Sequence, residues 1–405
     1  MTKVLDGVKV VEVAVYGYVP AAAAAMADWG ADVIKIEHPE HGDPVRGLVA
    51  SGVKPGDGGV TPLWETFNRG KRSAGIDISR PEGLELLLAL IDRADVFLTN
   101  FLGPARQRLG IDDTHIRRRN PSIIYARGTG QGVVGPEKDN GGFDLISYWG
   151  RTGLASAAMP SDYDYPITLP APAFGDVQAG LNLAGAVAAA LFRRERSGDG
   201  ATVDGSLLSS GLWAMQAGLA GSFATRSAEL PKWDRRRPGN PLVNAYRTAD
   251  GRFLQLCMLE ADRFWPGLCK ALGKPEWIEH PRLATAELRL SNVEECVELL
   301  DQLFAQRSLD EWTDALEAQE GQWSVIRPVG EVLGDQQVRD NGYIQMVEYE
   351  NGATLPLVPA PAQYDGQATT LTRAPGHGEH TDEVLRELLM SEDEILELKI
   401  DGVVT

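Results

Sequence analysis

The stretch VKVVEVAVYGYVPAAAAAMADWGADVIKIE, residues 8–37, decides the fold. Both of its ends are rich in β-branched residues, which indicates two buried strands. Between them, Pro20 begins an alanine-rich helix and Gly30 ends it, as helices prefer proline in the first turn and glycine just past the last. A strand, a helix and a second strand form a βαβ unit, which requires a parallel sheet with a right-handed crossover.

The same alternation continues along the chain. SAGIDI, DVFLTNF and SIIYARG are typical of further strands, and PEGLELLLALID is typical of a helix between them. We therefore predict an α/β fold with an open, doubly wound, Rossmann-like sheet. No GxGxxG follows the first strand and no GxxxxGK[ST] occurs anywhere, so neither the usual dinucleotide fingerprint nor a P-loop is expected.

After about residue 223 the composition changes to tryptophans, prolines and polar helices, which indicates a smaller α+β domain. The final residues predict two helices that return to the first domain. The predicted organisation is a large domain at 1–200 completed by 370–405, a linker at 201–225, a small domain at 226–330 and a return linker at 331–369.

Composition and short sequence patterns argue against several classes of partner and compartment. The 39 basic and 57 acidic residues give a net charge of −18, which disfavours binding to nucleic acid or to an anionic membrane. The alanine-rich run before Gly30 is about half as long as a membrane-spanning helix. The three cysteines show no disulfide framework, and the N-terminus shows no signal-peptide pattern. We expect a cytoplasmic protein.

Asp176, in the segment FGDVQAG, is the carboxylate to which the sequence draws attention. An aspartate at this place in a helical pattern is most often an N-cap. The neighbouring glycines and alanines would also let a ligand approach the carboxylate, so a nucleophile is permitted as well. The residues alone leave both alternatives open.

Histidines offer little chemistry by comparison. The pair His377 and His380 could hold a metal, but no HExxH motif or cysteine ligand accompanies it, so no metal site is predicted. A serine hydrolase is disfavoured because GxSxG is missing.

Nearly the whole chain resembles the class III CoA-transferases, the family of formyl-CoA transferase, carnitine CoA-transferase and the bile-acid-inducible CoA-transferases. The segments that carry the resemblance occur in the family's order and spacing: LDGVKVVEV, WGADVIKIEHPEHGDPVR, NRGKRSAGIDISRPEG, ADVFLTNF, RLGI, NPSIIYARGTGQG, FGDVQAG, RRERSGDGATVDGSL and GEHTDEVLREL.

The resemblance implies a function and an assembly. It implies that Asp176 is the catalytic nucleophile, which forms an aspartyl anhydride and then an aspartyl-CoA thioester while CoA moves from an acyl-CoA to a free acid. Acyl-CoA and a carboxylic acid are then substrates, with no permanently bound cofactor. It also implies a homodimer of two chains threaded through each other as interlocked rings.

Five residues match family contacts to CoA. Lys71 matches a position near the nucleotide, Asn100 and Phe101 match residues beside the adenine, and Arg108 matches a phosphate-binding arginine. His38 stands where formyl-CoA transferase has an arginine, so a contact with CoA there would be weaker.

Two further departures concern the acid. Gly17 replaces a glutamine of formyl-CoA transferase, and a glycine stands near residue 141 where that enzyme has a lysine. With the aromatic residues Tyr16, Tyr18, Tyr148 and Trp149 expected nearby, we predict a medium or bulky monocarboxylate or a mono-CoA diacid rather than oxalate or formate. These aromatic residues could equally be core or dimer packing.

Two alternative functions remain open. An α-methylacyl-CoA racemase shares the fold but pairs its aspartate with a histidine, and Phe143 stands at that position here. A non-catalytic CoA-binding subunit would lack the aspartate, which is present.

Overall fold

The computed structural model describes residues 3–48 and 59–405, and its first sheet is fully parallel, as predicted. Its strands are β1 (Lys9–Val13), β2 (Asp32–Glu37), β3 (Arg72–Gly75), β4 (Val96–Thr99), β5 (Ile124–Thr129) and β6 (Ala201–Ser206). They follow the order β3-β2-β1-β4-β5-β6. This is the doubly wound Rossmann order, and it reverses direction between β1 and β4, where such folds bind their ligands.

Helices connect these strands. They are α1 (Tyr18–Asp28), α2 (Pro62–Asn68), α3 (Pro81–Ile91), α4 (Gly103–Arg108), α5 (Asp113–Arg119), α6 (Leu154–Ala157), α7 (Phe174–Ser197), α8 (Leu207–Ala214) and α9 (Gln216–Thr225). The expected C-terminal end of α1 is confirmed, since Gly30, with φ 102°, follows its C-cap. The helix begins at Tyr18, two residues before the expected start, and Pro20 lies in its first turn.

The sheet is buried on both faces, which explains why its strands are nearly continuous apolar runs. Side chains such as Val10, Val96 and Ile124 pack with α1 and α7 on one face. Val11 and Phe97 belong to the cluster on the other face, with α3 and α5.

The contact between α1 and α7 depends on small residues. A Cβ atom on Gly180 would lie 2.7 Å from Ala21 Cβ and 2.9 Å from the Tyr18 carbonyl oxygen, so only glycine allows the two backbones to approach this closely. By length and composition α7 would also suit a membrane span, but this packing accounts for its small apolar residues.

A second compact unit contains Ala158–Pro166 and Pro231–Asp335. Its antiparallel sheet has the order β7 (Val243–Arg247), β8 (Phe253–Cys257), β9 (Trp323–Ile326). Its helices are α10 (Ala261–Ala271), α11 (Ala286–Ser291), α12 (Val293–Phe304), α13 (Leu309–Leu316) and α14 (Val329–Val332). Trp265 and Trp312 are almost fully buried in its own hydrophobic core.

The chain then returns to the first unit, which contains Met1–Ala157, Ile167–Leu230 and Gln336–Thr405. The returning elements are α15 (Gln336–Asp340), the antiparallel pair β10 (Gln345–Glu348) and β11 (Thr354–Leu357), α16 (Thr381–Glu387) and α17 (Glu392–Ile400). Val384, Leu385 and Ile395 join the core beneath the sheet, as expected for the tail.

Two segments differ from the predicted organisation. Residues 201–225, expected as a linker, form β6, α8 and α9, because β6 pairs along its whole length with β5 at the edge of the sheet. The first part of the expected return linker lies in the second unit, and from Gln336 onward the chain belongs to the first unit.

Candidate active site

Asp176 is the third residue of α7 and does not cap it. The N-cap is Ala173, which has a left-handed backbone (φ 59°) and makes no side-chain capping bond. The helix begins earlier than the cap alternative requires because Gly175 fits into its first turn, where a Cβ atom would lie 2.7 Å from Tyr148. The cap alternative is therefore wrong, and the Asp176 carboxylate is not used to cap the helix.

The surroundings of Asp176 oppose its ionisation. Burial, aided by the negative charge of Asp144, raises the pKa of Asp176 to about 8. Within residues 3–48 and 59–405, no group donates a hydrogen bond to the Asp176 carboxylate. Asp144 itself accepts the Gly175 N–H at 3.3 Å, and burial raises its pKa too. The positive end of α7 offsets this only in part.

Gly17 backs the Asp176 carboxylate directly. A Cβ atom on Gly17 would lie 2.4 Å from Asp176 Oδ2 and 2.9 Å from its Cγ. Any other residue at position 17 must displace the carboxylate or the turn that carries it. The sequence identified Gly17 as a departure from formyl-CoA transferase. In this structure, the lack of a side chain at position 17 lets the Asp176 carboxylate lie against the turn.

The turn that carries Gly17 is held from both sides. Tyr16 has the uncommon φ of 64°, and its N–H donates to Asp43 Oδ1 at 3.1 Å. Asn100 accepts from the Val15 N–H at 3.1 Å and donates to the Val15 carbonyl at 2.6 Å. Asp43 and Asn100 therefore hold a backbone conformation that Tyr16 would seldom adopt unaided.

A cavity of about 330 Å³, here called the strand-end cavity, opens at the carboxyl ends of β1, β4 and β5. It lies at the reversal of strand order, the place where ligands bind in doubly wound sheets. Asp176 and Gly17 belong to its wall. The remaining lining residues are Val15, Tyr16, Tyr18, Asn100, Phe101, Leu102, Ala105, Gly128, Thr129, Gly130, Gly141, Gly142, Phe143 and Leu207.

A second cavity of about 430 Å³, here called the Leu63 cavity, also reaches Asp176. Tyr16, Gly17, Phe143 and Asp176 line both cavities. The rings of Tyr16 and Phe143 meet edge to face with centroids 5.3 Å apart. Asp176 thus lies between the strand-end cavity and the Leu63 cavity, which the Tyr16 and Phe143 rings also line.

Three of the predicted CoA contacts lie along one path. Phe101 lines the strand-end cavity and also a smaller one of about 180 Å³ that contains His38 and Asp77. Asn100 lines the strand-end cavity beside it. The His38 side chain is 40% exposed, lies 4.0 Å from the Asp77 carboxylate and stacks on His41.

The other two predicted contacts behave differently from each other. Arg108 is exposed at the last position of α4, and no ion pair of its guanidinium occurs in the described part of the chain. Lys71 is buried, and its Nζ donates to Glu12 Oε2 at 2.6 Å and to Pro20 O and Asn68 Oδ1 at 3.0 Å each. These bonds use all three donors of the ammonium group, so its contact with CoA stays a prediction.

Lys71 belongs to a buried charge network that the sequence reasoning missed. Glu12 pairs with Lys71 and, at 2.9 Å, with Lys35, which in turn pairs with Asp43 at 2.9 Å. Burial alone would raise the pKa of Glu12, but the two ammonium groups lower it below its usual range. The available signal was a charged residue inside each of two apolar strands, since such residues are buried only when paired.

The remaining sequence candidates occupy structural positions. Tyr148 and Trp149 are 4% and 8% exposed and pack in the interior rather than lining either cavity. His377 and His380 contact different backbone groups, the His38 carbonyl and the Ser73 N–H. No group of three or more possible metal ligands was found among the described residues.

Comparison with known proteins identifies the family of this chain. The model of CoA-transferase family III matches residues 5–381. The chain belongs to this family. Its similarity to the (R)-2-hydroxy-4-methylpentanoate CoA-transferase of Clostridioides difficile is 32% identity over 99% of both chains. It is 29% identical to the cinnamoyl-CoA:phenyllactate CoA-transferase of Clostridium sporogenes, over 99% of this chain and 97% of the other.

Solved structures confirm the fold of this family III CoA-transferase. A CAIB/BAIF family protein from Brucella suis superposes with a TM-score of 0.81 at 27% identity, covering 95% of this chain and 99% of the other. The protein is therefore an enzyme that uses CoA thioesters as substrates, as the sequence predicted. The described lining of both cavities contains no histidine, so a racemase-type histidine base does not face Asp176 there.

Proposed function

We propose that this transferase moves CoA from an acyl-CoA thioester to a free carboxylic acid, with Asp176 as the nucleophile. The observation that supports this proposal most is that Asp176 lines both the strand-end cavity and the Leu63 cavity. A thioester with its CoA arm in the first and its acyl group in the second would bring its carbonyl carbon to this carboxylate.

Each step in this mechanism conserves one negative charge. The Asp176 carboxylate attacks the thioester carbonyl and expels CoA thiolate, which leaves an aspartyl–acyl anhydride. The thiolate attacks the aspartyl carbonyl, the donor acid departs as a carboxylate, and an aspartyl-CoA thioester remains. The acceptor carboxylate attacks that thioester, and the released thiolate then attacks the acceptor's acyl carbonyl. Product acyl-CoA leaves and the Asp176 carboxylate is restored.

The burial of Asp176 suits this role. A carboxylate with few hydrogen bonds and little water has less solvation to lose when it attacks, and its anhydride is less exposed to hydrolysis. Because Gly17 has no side chain, the carboxylate can keep its position against the backbone of this turn.

The CoA arm is proposed to follow the ends of the strands. Phe101 would lie beside the nucleotide, since it lines both the strand-end cavity and the cavity containing His38. Arg108 is exposed and offers a cation for a phosphate. Asn100 would act chiefly through the Val15 backbone that it already binds.

A trapping experiment tests the nucleophile. After incubation with an acyl-CoA, hydroxylamine or borohydride should modify Asp176 alone, and Asp176→Ala should lose nearly all transfer while still binding CoA. Substantial turnover by that variant would contradict the proposal. Exchange of the α-proton without acyl exchange would support a racemase, and CoA binding without any exchange would support a non-catalytic subunit.

We further propose a cytoplasmic homodimer. Within the first unit, Phe192, Trp213 and Phe223 on α7, α8 and α9 are 64%, 69% and 88% exposed. Large exposed apolar residues grouped on successive helices are typical of an interface.

Light scattering should give twice the chain mass, and Trp213→Glu should lower the measured mass toward that of one chain. A monomer at micromolar concentration would contradict the assembly. Cell fractionation tests the compartment.

A further inference from the structure

One wall of the Leu63 cavity is apolar and closely packed. Val45, Leu63 and Phe67 are 1%, 8% and 2% exposed and form a small hydrophobic core of their own with Trp64 and Ala374. Packing of this density fixes the wall that they present to the cavity. The complete lining is Tyr16, Gly17, Val45, Leu48, Leu63, Phe67, Phe143, Asp144, Leu145, Thr168, Leu169, Ala171, Pro172, Ala173 and Asp176.

The charged groups of this lining are all negative. Among the described lining residues, Asp144 and Asp176 are the ionisable acids, and no lysine, arginine or histidine is present. Thr168 adds one hydroxyl group. A second carboxylate on a bound acid would lose its hydration here and meet no cation among the described lining residues, while the Asp144 side chain lies in the same wall.

We propose that the Leu63 cavity is the subsite for the organic part of the transferred acid, and that it selects apolar monocarboxylic acids with branched or aromatic chains over dicarboxylic acids. This inference rests on the proposed function, since it places the reacting carboxyl group at Asp176. It excludes the mono-CoA diacid that the sequence left open. The cavity volume of about 430 Å³ is within the range of small-molecule sites.

A matched pair of acceptor acids provides the test. In 4-methylpentanoate an isopropyl group replaces the second carboxylate of succinate, so the two acids have nearly the same shape and differ in charge. With one acyl-CoA donor and mass-spectrometric detection, we expect kcat/KM for 4-methylpentanoate to exceed that for succinate by at least about 100-fold. From acetate to hexanoate, kcat/KM should rise about fourfold per buried methylene.

Leu169→Arg tests the location. Leu169 is half-buried on the loop before α7, so an arginine can replace it and place a cation in the cavity. The ratio of kcat/KM for succinate to kcat/KM for 4-methylpentanoate should rise by about 10–100-fold. Ile167→Arg is the matched control: Ile167 is on the same loop, 37% exposed and outside the lining, so the ratio should change less than about twofold. Thr168→Arg repeats the test at a second lining residue.

Hydroxylamine trapping of Asp176, run in parallel, separates the outcomes. The inference is supported if Asp176 is labelled, monocarboxylates are preferred and Leu169→Arg raises the kcat/KM ratio of succinate to 4-methylpentanoate. Labelled Asp176 with a preference for succinate overturns the inference and leaves the proposed function intact. A ratio in Leu169→Arg no larger than in Ile167→Arg overturns the assignment of this cavity. Absence of both label and transfer overturns the proposed function and the inference with it.

Discussion

Gly17 lies against Asp176 so closely that a Cβ atom at position 17 would come within 2.4 Å of Asp176 Oδ2. The two residues are far apart in the chain and meet because α1 and α7 pack side by side. The absence of a side chain at position 17 therefore sets the position of the carboxylate that we propose as the nucleophile.

We expect Gly17→Ala to reduce kcat by about 100-fold, because the added methyl group must push the Asp176 carboxylate out of line by about 1 Å. Steady-state kinetics with saturating acyl-CoA checks this. Gly141→Ala is the control: Gly141 lines the same cavity, but a Cβ atom there would meet nothing within 4 Å. Equal losses in both variants would show that the contact with Asp176 is not the cause.

The rate of the first half-reaction should depend on pH through Asp176. Only the carboxylate attacks, and burial raises the pKa of Asp176 to about 8, so kcat/KM should rise with pH and level off above about 8. Asp144→Asn removes the neighbouring negative charge and should move the midpoint to lower pH, although burial remains the larger cause. A profile that is flat between pH 6 and 9 in both proteins would contradict this assignment.

Asp176→Asn should stabilise the fold at alkaline pH. Because the folded-state pKa of about 8 exceeds the unfolded value, the folded protein binds this proton more tightly, and the stability from that proton is lost as pH rises from about 4 to 8. Asparagine is uncharged throughout. The variant should gain on the order of 1–3 kcal/mol in the free energy of unfolding at pH 8.5, less than the full shift implies because cavity water screens the charge.

Urea unfolding at pH 5 and pH 8.5 measures that difference, which should be clearly smaller at pH 5. Asp199→Asn, at an exposed position between α7 and β6, is the control and should change the free energy of unfolding little at either pH. A gain that is the same at both pH values would mean that ionisation of Asp176 is not responsible.

Lys71 and Arg108 should separate into a structural and a binding role. Lys71→Met leaves Glu12 buried with one partner fewer, and we expect it to cost about 3–5 kcal/mol of the free energy of unfolding. Arg108→Ala should leave stability within about 0.5 kcal/mol. It should nevertheless weaken CoA binding about tenfold or more, because an exposed guanidinium is lost from the proposed phosphate site. Calorimetric titration with CoA and urea unfolding check the two variants; a reversed pattern would restore Lys71 as the principal contact.

Asp43 should act as a positioning residue. Asp43→Ala removes the acceptor for the Tyr16 N–H and the partner of Lys35, so the strained turn at Tyr16 should relax and move Gly17. We expect kcat to fall about tenfold or more with little change in the KM for CoA. Asp43→Asn keeps an oxygen acceptor and should restore much of kcat. Loss of stability alone, with kcat unchanged in the folded fraction, would argue for a purely structural role.

Much of the fold followed from local pattern. The β-branched runs that became β1 and β2, and the proline and glycine around α1, specify their elements through neighbouring residues, and the alternation of strand and helix then leaves few topologies. Asp176 was likewise found from a local segment, because its resemblance to a family motif lies within a few residues.

The tertiary structure decided the properties that depend on distant parts of the chain. The pKa of Asp176 is raised chiefly by burial and further by the charge of Asp144, and no local pattern encodes that burial. The resemblance implied a CoA contact for Lys71, and the structure shows that its ammonium group lies in a buried network with Glu12 of β1. Burial and charge pairing are set by which elements pack together, and hydrophobic period and turn chemistry report only on the element itself.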